Sequence, residues 1–72
     1  MIYQDIQDNL DRAHRAAVYE QRENRPHWKG VFAGHARRWL READRIIAAV
    51  DEQTASMFAD ERDELSDIIA AL

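Results

Sequence analysis

One proline and two glycines are all the strong chain-breakers in this 72-residue sequence. A β fold of that length needs a turn about every 8–12 residues, and the residues that make such turns are missing. The chain must therefore run in long uninterrupted segments, and α-helices satisfy their own backbone over such lengths. There is no cysteine, which excludes disulfides and cysteine-ligated zinc. The expected fold is all-α, a small three-helix bundle in one domain spanning residues 1–72. The alternative is a helical hairpin with a mobile or partner-packed third helix.

At about 100° per residue, residues 2–23 place Ile2, Ile6, Leu10, Ala13 and Ala17 in one stripe, with Tyr3 and His14 at its edge. Asp5, Asp8, Arg12 and Arg15 fall opposite. Ala13, Ala16 and Ala17 are small enough for a neighbouring helix to approach closely. The pattern breaks at Asn24–Gly30, where Pro26 removes a backbone donor and biases Arg25 away from helical geometry. Because proline is tolerated in a first turn, a second helix is predicted over about 28–50. Its seam is Phe32, Ala36, Trp39, Ala43, Ile46 and Val50, spaced as a packed helix requires. A face this wide is expected to touch both neighbours.

The second boundary carries no glycine or proline. Asp51 or Thr54 can cap a new helix, and Asp51 and Glu52 suit its positive end. A single helix over 31–71 is the rival. Its seam would pass from Val50 to Gln53, Met57, Asp60 and Glu64, which is mostly polar. A third helix over about 54–71, built on Phe58, Leu65, Ile69 and Leu72, fits better. Its seam has a flaw at Glu61 or Arg62, where a buried charge is costly unless paired. Arg62 can lay its stem on the core and keep its head in water.

The composition is 46% hydrophobic and 33% charged, too apolar for a disordered tail and too charged for a membrane protein. No apolar run approaches the roughly 18 residues that span a bilayer. The first residues lack the basic and apolar regions of a signal peptide, so a cytoplasmic location is expected. A core this small rarely supplies more than about 3–5 kcal/mol. Close helix packing, self-association or a partner is expected to add to it.

The net charge of −4 conceals a division. Residues 1–11 carry −3, residues 12–45 carry +5 with nine of the ten basic side chains, and residues 46–72 carry −6. Arg37, Arg38, Arg41 and Arg45 share the outer face of the second helix. Asp60, Asp63, Glu64 and Asp67 share that of the third. Mutual neutralisation of adjacent helices is the plain expectation, and exposed pairs add only about 0–1 kcal/mol each. The functional expectation is a non-enzymatic module that binds a larger protein partner through a charged face and inhibits or regulates it. The acidic face fits a basic surface of a nucleic-acid-handling machine. The arginine face offers a nucleic-acid-binding adaptor as the alternative, and a structural homodimer is the third reading. Tyr19 and Trp28 lie near each other at the connection and form a possible aromatic contact.

Other constellations point to little chemistry. Asp11 and His14 are three apart without a second such pair. His35 and Glu42 lie two helical turns apart, beyond the reach of one ion. No metal or cofactor is expected. Glu20-x-x-Glu23 and Glu61-x-x-Glu64-x-x-Asp67 resemble, in spacing alone, the magnesium-binding pairs of helical nucleotide pyrophosphohydrolases. The phosphate-binding lysines and arginines of those enzymes are absent. No activated serine, phosphate loop or HExxH motif is present. Trp28-Lys-Gly30 between two amphipathic helices resembles the W-x-G turn of the small secreted WXG100 hairpins. Those carry Tyr-x-x-x-Asp/Glu after the second helix. Here Tyr19-x-x-x-Glu23 precedes the turn instead.

Overall fold

In a computed structural model, described for residues 2–72, the chain forms α1 (Ile2–Arg22), α2 (Val31–Ala49) and α3 (Glu52–Ala70). The helices contain 21, 19 and 19 residues, each about 30 Å long at 1.5 Å per residue. That length sets the shape. The Cα extents are 42 × 20 × 14 Å, and the radius of gyration, 12.7 Å, exceeds the roughly 11 Å of an average compact chain of this size. Among the described residues, no helix is long and apolar enough to cross a membrane.

α1 and α2 are antiparallel and the most closely packed pair. Alanines make this approach possible: Ala13, Ala16 and Ala17 on α1 and Ala33, Ala36 and Ala43 on α2 are all buried. α3 returns alongside α1. Thr54 and Phe58 lie beside Tyr3, Glu61 beside Gln7, and Leu65 and Ile68 beside His14. Phe58, Leu65 and Ile69 complete a core with Ile6, Leu10 and Leu40, so the third helix is packed.

The helix boundaries differ from the sequence reading in two places. α2 begins at Val31, not 28, because residues 26–30 form a turn that ends on Gly30 at φ +91°. Only glycine adopts that conformation without strain. α3 begins at Glu52, not 54, because Asp51 is the residue that caps it. The Asp51 carboxylate accepts from the Thr54 backbone N–H at 3.3 Å and from the Thr54 hydroxyl. Both hydrogen bonds, the hydroxyl's foremost, hold the Asp51 carboxyl below its usual range. The break at Val50–Asp51 excludes a single helix over 31–71.

The N-terminus of α2 has no side chain of its own to cap it. Glu20, ten residues earlier on α1, takes that task. Its Oε1 accepts from the backbone N–H groups of Gly30 at 2.9 Å and Ala33 at 3.0 Å. Its Oε2 lies 3.6 Å from Lys29 Nζ. The side chain is 4% exposed, so the carboxylate is buried but partnered on both oxygens. A negative group here also opposes the positive end of the α2 dipole. Glu23, three residues on, turns the other way and clamps Arg25 through its Nε and Nη2, both at 2.9 Å. The two acids of the ExxE pair thus serve two unrelated structural tasks.

The flaw in the third seam resolves as its polar reading required. Arg62 reaches α2 and forms a two-pronged pair with Asp44, Nε–Oδ1 at 2.8 Å and Nη2–Oδ2 at 2.9 Å. Its side chain stays one-third exposed.

Candidate functional site

Three surfaces carry the residues singled out in the sequence. The first is the outer face of α3. Asp60, Asp63, Glu64 and Asp67 are all exposed and share one side of the helix. Asp63 lies 3.2 Å from Arg62. The other three form no ion pair among the described residues. Towards the start of α3 this ridge adjoins a groove where Met57, Phe58 and Glu61 meet Tyr3, Gln4 and Gln7. Met57 is 65% exposed and Tyr3 42%, so the groove presents apolar surface to solvent. Gln7 Nε2 donates to Glu61 Oε1 at 3.0 Å and fixes its wall.

The second surface is the outer face of α2, where Arg37, Arg38, Arg41 and Arg45 are exposed. The expected neutralisation by α3 does not occur. No arginine of this face pairs with an α3 acid, and the pair that joins the two helices runs the other way, from Arg62 on α3 to Asp44 on α2. Arg45 pairs within its own helix, with Glu42. That contact, above all its hydrogen bonds, lowers the Glu42 pKa and raises that of Arg45. The physical reason is rotational. Asp44 lies on the α3 side of α2, and the four arginines point to solvent.

The third surface is a cleft between α1 and α2. Tyr19 and Trp28 are brought together, as the sequence suggested, but through a ring that the sequence placed in the core. Phe32 lies 5.6 Å from Tyr19 and 6.4 Å from Trp28, stacked on the latter. Trp39, also assigned to the seam, is only half-buried. The guanidinium carbons of Arg12 and Arg38 lie 5.0 and 5.7 Å from its ring centre, within cation–π range. The cleft is lined by Arg12, Arg15 and Tyr19 from α1 and by Phe32, His35 and Trp39 from α2. At its deeper end Asn9 joins Arg12, Arg38, Trp39 and Glu42. No α3 residue lines either part. The seam of α2 is wide because one edge meets α3 and the other edge borders this cleft.

Phe32, Trp39, Arg12 and Arg15 were not recognised as surface partners of Tyr19. The signal was a second stripe, Asn9, Arg12, Ala16 and Tyr19, spaced three, four and three. It faces Phe32, His35, Trp39 and Glu42 across the hairpin.

The histidines stand apart. His14 borders α3 beside Glu61, Glu64 and Leu65. His27 packs against Trp28, and His35 against Phe32. Among the described residues, no three His, Asp or Glu side chains gather so as to hold a metal ion.

Fold and surfaces together define a small three-helix bundle with acidic and basic–aromatic surfaces on different helices. Comparison with protein-family models, with curated proteins and with solved structures finds no match.

Proposed function

We propose that this protein is a non-enzymatic, cytoplasmic interaction module that docks on a basic surface of a larger protein and regulates it by occupying that surface. One observation carries the reading. The outer face of α3 offers Asp60, Glu64 and Asp67 without intramolecular cations, directly beside the exposed apolar groove of Met57 and Tyr3. Charge of one sign steers association and sets orientation. An apolar side chain beside it supplies the desolvated contact that holds a complex together. Mutual neutralisation of α2 and α3 would have argued against the reading, and the carboxylates of Asp60, Glu64 and Asp67 form no ion pair among the described residues.

The test is charge reversal on a captured partner. Asp63→Lys, Glu64→Lys and Asp67→Lys combined should abolish stoichiometric retention, while Arg37→Glu with Arg41→Glu should leave it intact. Retention by the α3 variant at unchanged affinity would rule the acidic surface out.

A further inference from the structure

We propose that the α1–α2 cleft binds single-stranded nucleic acid, with Tyr19 and Trp28 as stacking platforms for bases and Arg12, Arg15 and Arg38 as contacts for the phosphate backbone. The site is independent of the α3 surface and shares no residue with it.

Four observations converge on this cleft. The first is exposed aromatic surface. Tyr19 is 57% exposed and Trp28 40%, an unusual outlay of ring surface for a chain with six aromatic residues in all. Phe32 lies between them and fixes their positions. Bases stack on such platforms irrespective of sequence, because every base has a π face.

The second is unspent positive charge. Arg12, Arg15 and Arg38 form no ion pair among the described residues. Arg12 and Arg38 lie over Trp39, which orders them at the cleft without neutralising them. Arg37 and Arg41 extend the positive surface along the outer face of α2.

The third is an unmatched acceptor. Asn9 is 6% exposed. Its Nδ2 donates to the Asp5 carbonyl at 2.9 Å, which fixes the amide, and its Oδ1 accepts no hydrogen bond from the protein. A buried acceptor without a partner is costly. It lies beneath the deeper end of the cleft, under Arg12, Arg38, Trp39 and Glu42, and an exocyclic amine of a base satisfies it once those side chains part.

The fourth is the position of the acids. The strongly acidic α3 contributes nothing to the cleft, and the one carboxylate that lines it, Glu42 of α2, is paired with Arg45. The hairpin between them is about one helix diameter, roughly 10 Å, thick. At physiological salt, where the screening length is about 8 Å, that separation weakens the repulsion between α3 and a phosphate chain at the cleft.

These features select among ligands. An acidic peptide would match the arginines and could donate a backbone N–H to Asn9, but its carboxylate side chains would leave the ring faces unmatched. A duplex would match the arginines but keep its base faces inside its own stack. A single strand supplies phosphates, free π faces and amine donors together.

Trp39 lines the cleft and Trp28 stacks on Phe32 at its edge, so intrinsic fluorescence reports on it directly. The probe is a short oligothymidylate for affinity, with an oligoadenylate of equal length to supply exocyclic amines. Saturable tryptophan quenching is expected at low salt. Tyr19→Ala and Trp28→Ala should each weaken binding about tenfold. Far-ultraviolet circular dichroism of these variants should match the parent, since neither side chain belongs to the buried core. Arg12→Gln with Arg38→Gln should reduce the slope of log affinity against log salt by about 1.4, at about 0.7 per phosphate contact on a single strand. Asn9→Leu should erase any preference for oligoadenylate. Absence of quenching at low salt would overturn the proposal. So would equal affinity for a duplex with indifference to Tyr19→Ala, or tighter binding of polyglutamate than of either oligonucleotide.

Discussion

Removing the Glu20 carboxylate should come close to unfolding the protein. In Glu20→Ala the backbone N–H groups of Gly30 and Ala33 lose their acceptor, and the Ala33 group is buried. A hydrogen bond to a charged acceptor contributes about 1.5–3 kcal/mol, and loss of a conventional helix cap costs about 0.5–2 kcal/mol. Both donors share one oxygen, so the two contributions are not fully additive. The expected loss is about 2–4 kcal/mol on these scales. A bundle this small has only about 3–5 kcal/mol in total. At about 4–8 °C per kcal/mol, the midpoint should fall by roughly 10–30 °C.

Glu20→Gln separates the contributions. It keeps an amide oxygen where Oε1 accepts, and loses the charge facing the α2 dipole and Lys29. That charge contributes about 0.3–1 kcal/mol at a helix end. Lys29→Ala should cost only a few tenths of a kcal/mol, because the Lys29 side chain is 59% exposed. The assay is urea unfolding of all three variants followed by far-ultraviolet circular dichroism. The expected order of loss is Ala well above Gln, and Gln above Lys29→Ala. An Ala loss below about 0.5 kcal/mol would mean that water caps α2 as well as Glu20 does. Equal losses for Ala and Gln would place the effect in the charge and not in the hydrogen bonds.

The two glycines should respond to alanine with opposite signs. Gly30→Ala should destabilise by about 1 kcal/mol, since a φ of +91° strains a side chain although nothing lies within 4 Å of its Cβ. Gly34→Ala adds a methyl in open space on helix α2 and should stabilise by about 0.5–1 kcal/mol. Thermal melts of the two variants decide the pair, and equal signs would contradict the backbone argument. Glu23 should titrate at about pH 2 in a carboxyl-detected NMR titration, because the Arg25 side chain and then its backbone N–H hold the carboxyl below its usual 4.5. Its folded value is depressed, so its contribution is present above about pH 4.5 and lost as the pH falls towards 2. Arg25→Ala should return it towards 4.5, and a parent value near 4.5 would show that the clamp is open in solution. A double-mutant cycle on Arg62→Ala and Asp44→Ala should give a coupling of about 0.5–1 kcal/mol, modest because both side chains are about one-third exposed. A coupling near zero would mean that α3 is held by its apolar residues alone.

The pattern of what the sequence revealed follows from what a helical period can encode. Periodicity states where a side chain points relative to its own axis. It therefore placed Ile6, Leu10, Ala36, Ala43, Phe58, Leu65 and Ile69 in the core and put Asp60, Asp63, Glu64 and Asp67 together on one outer face. It does not state how a wide apolar face is divided among neighbours. Phe32 and Trp39 obey the same rhythm as Ala36 and Ala43, yet close alanine contacts bring α1 onto the middle of that face and leave its edge beside the cleft. The cap of α2 was illegible for a related reason. Helix-start signals are sought within three residues of the boundary, and Glu20 acts from another helix, ten residues away. The charge division was visible along the chain, but its outcome depended on rotation about two axes. Arg62 meets Asp44 because both lie where α2 and α3 touch. Arg37, Arg38 and Arg41 lie elsewhere on α2 and stay unpaired. That leftover charge is why the molecule keeps two surfaces of opposite sign. Had the arginines and α3 acids neutralised each other, neither surface would hold charge for a second molecule.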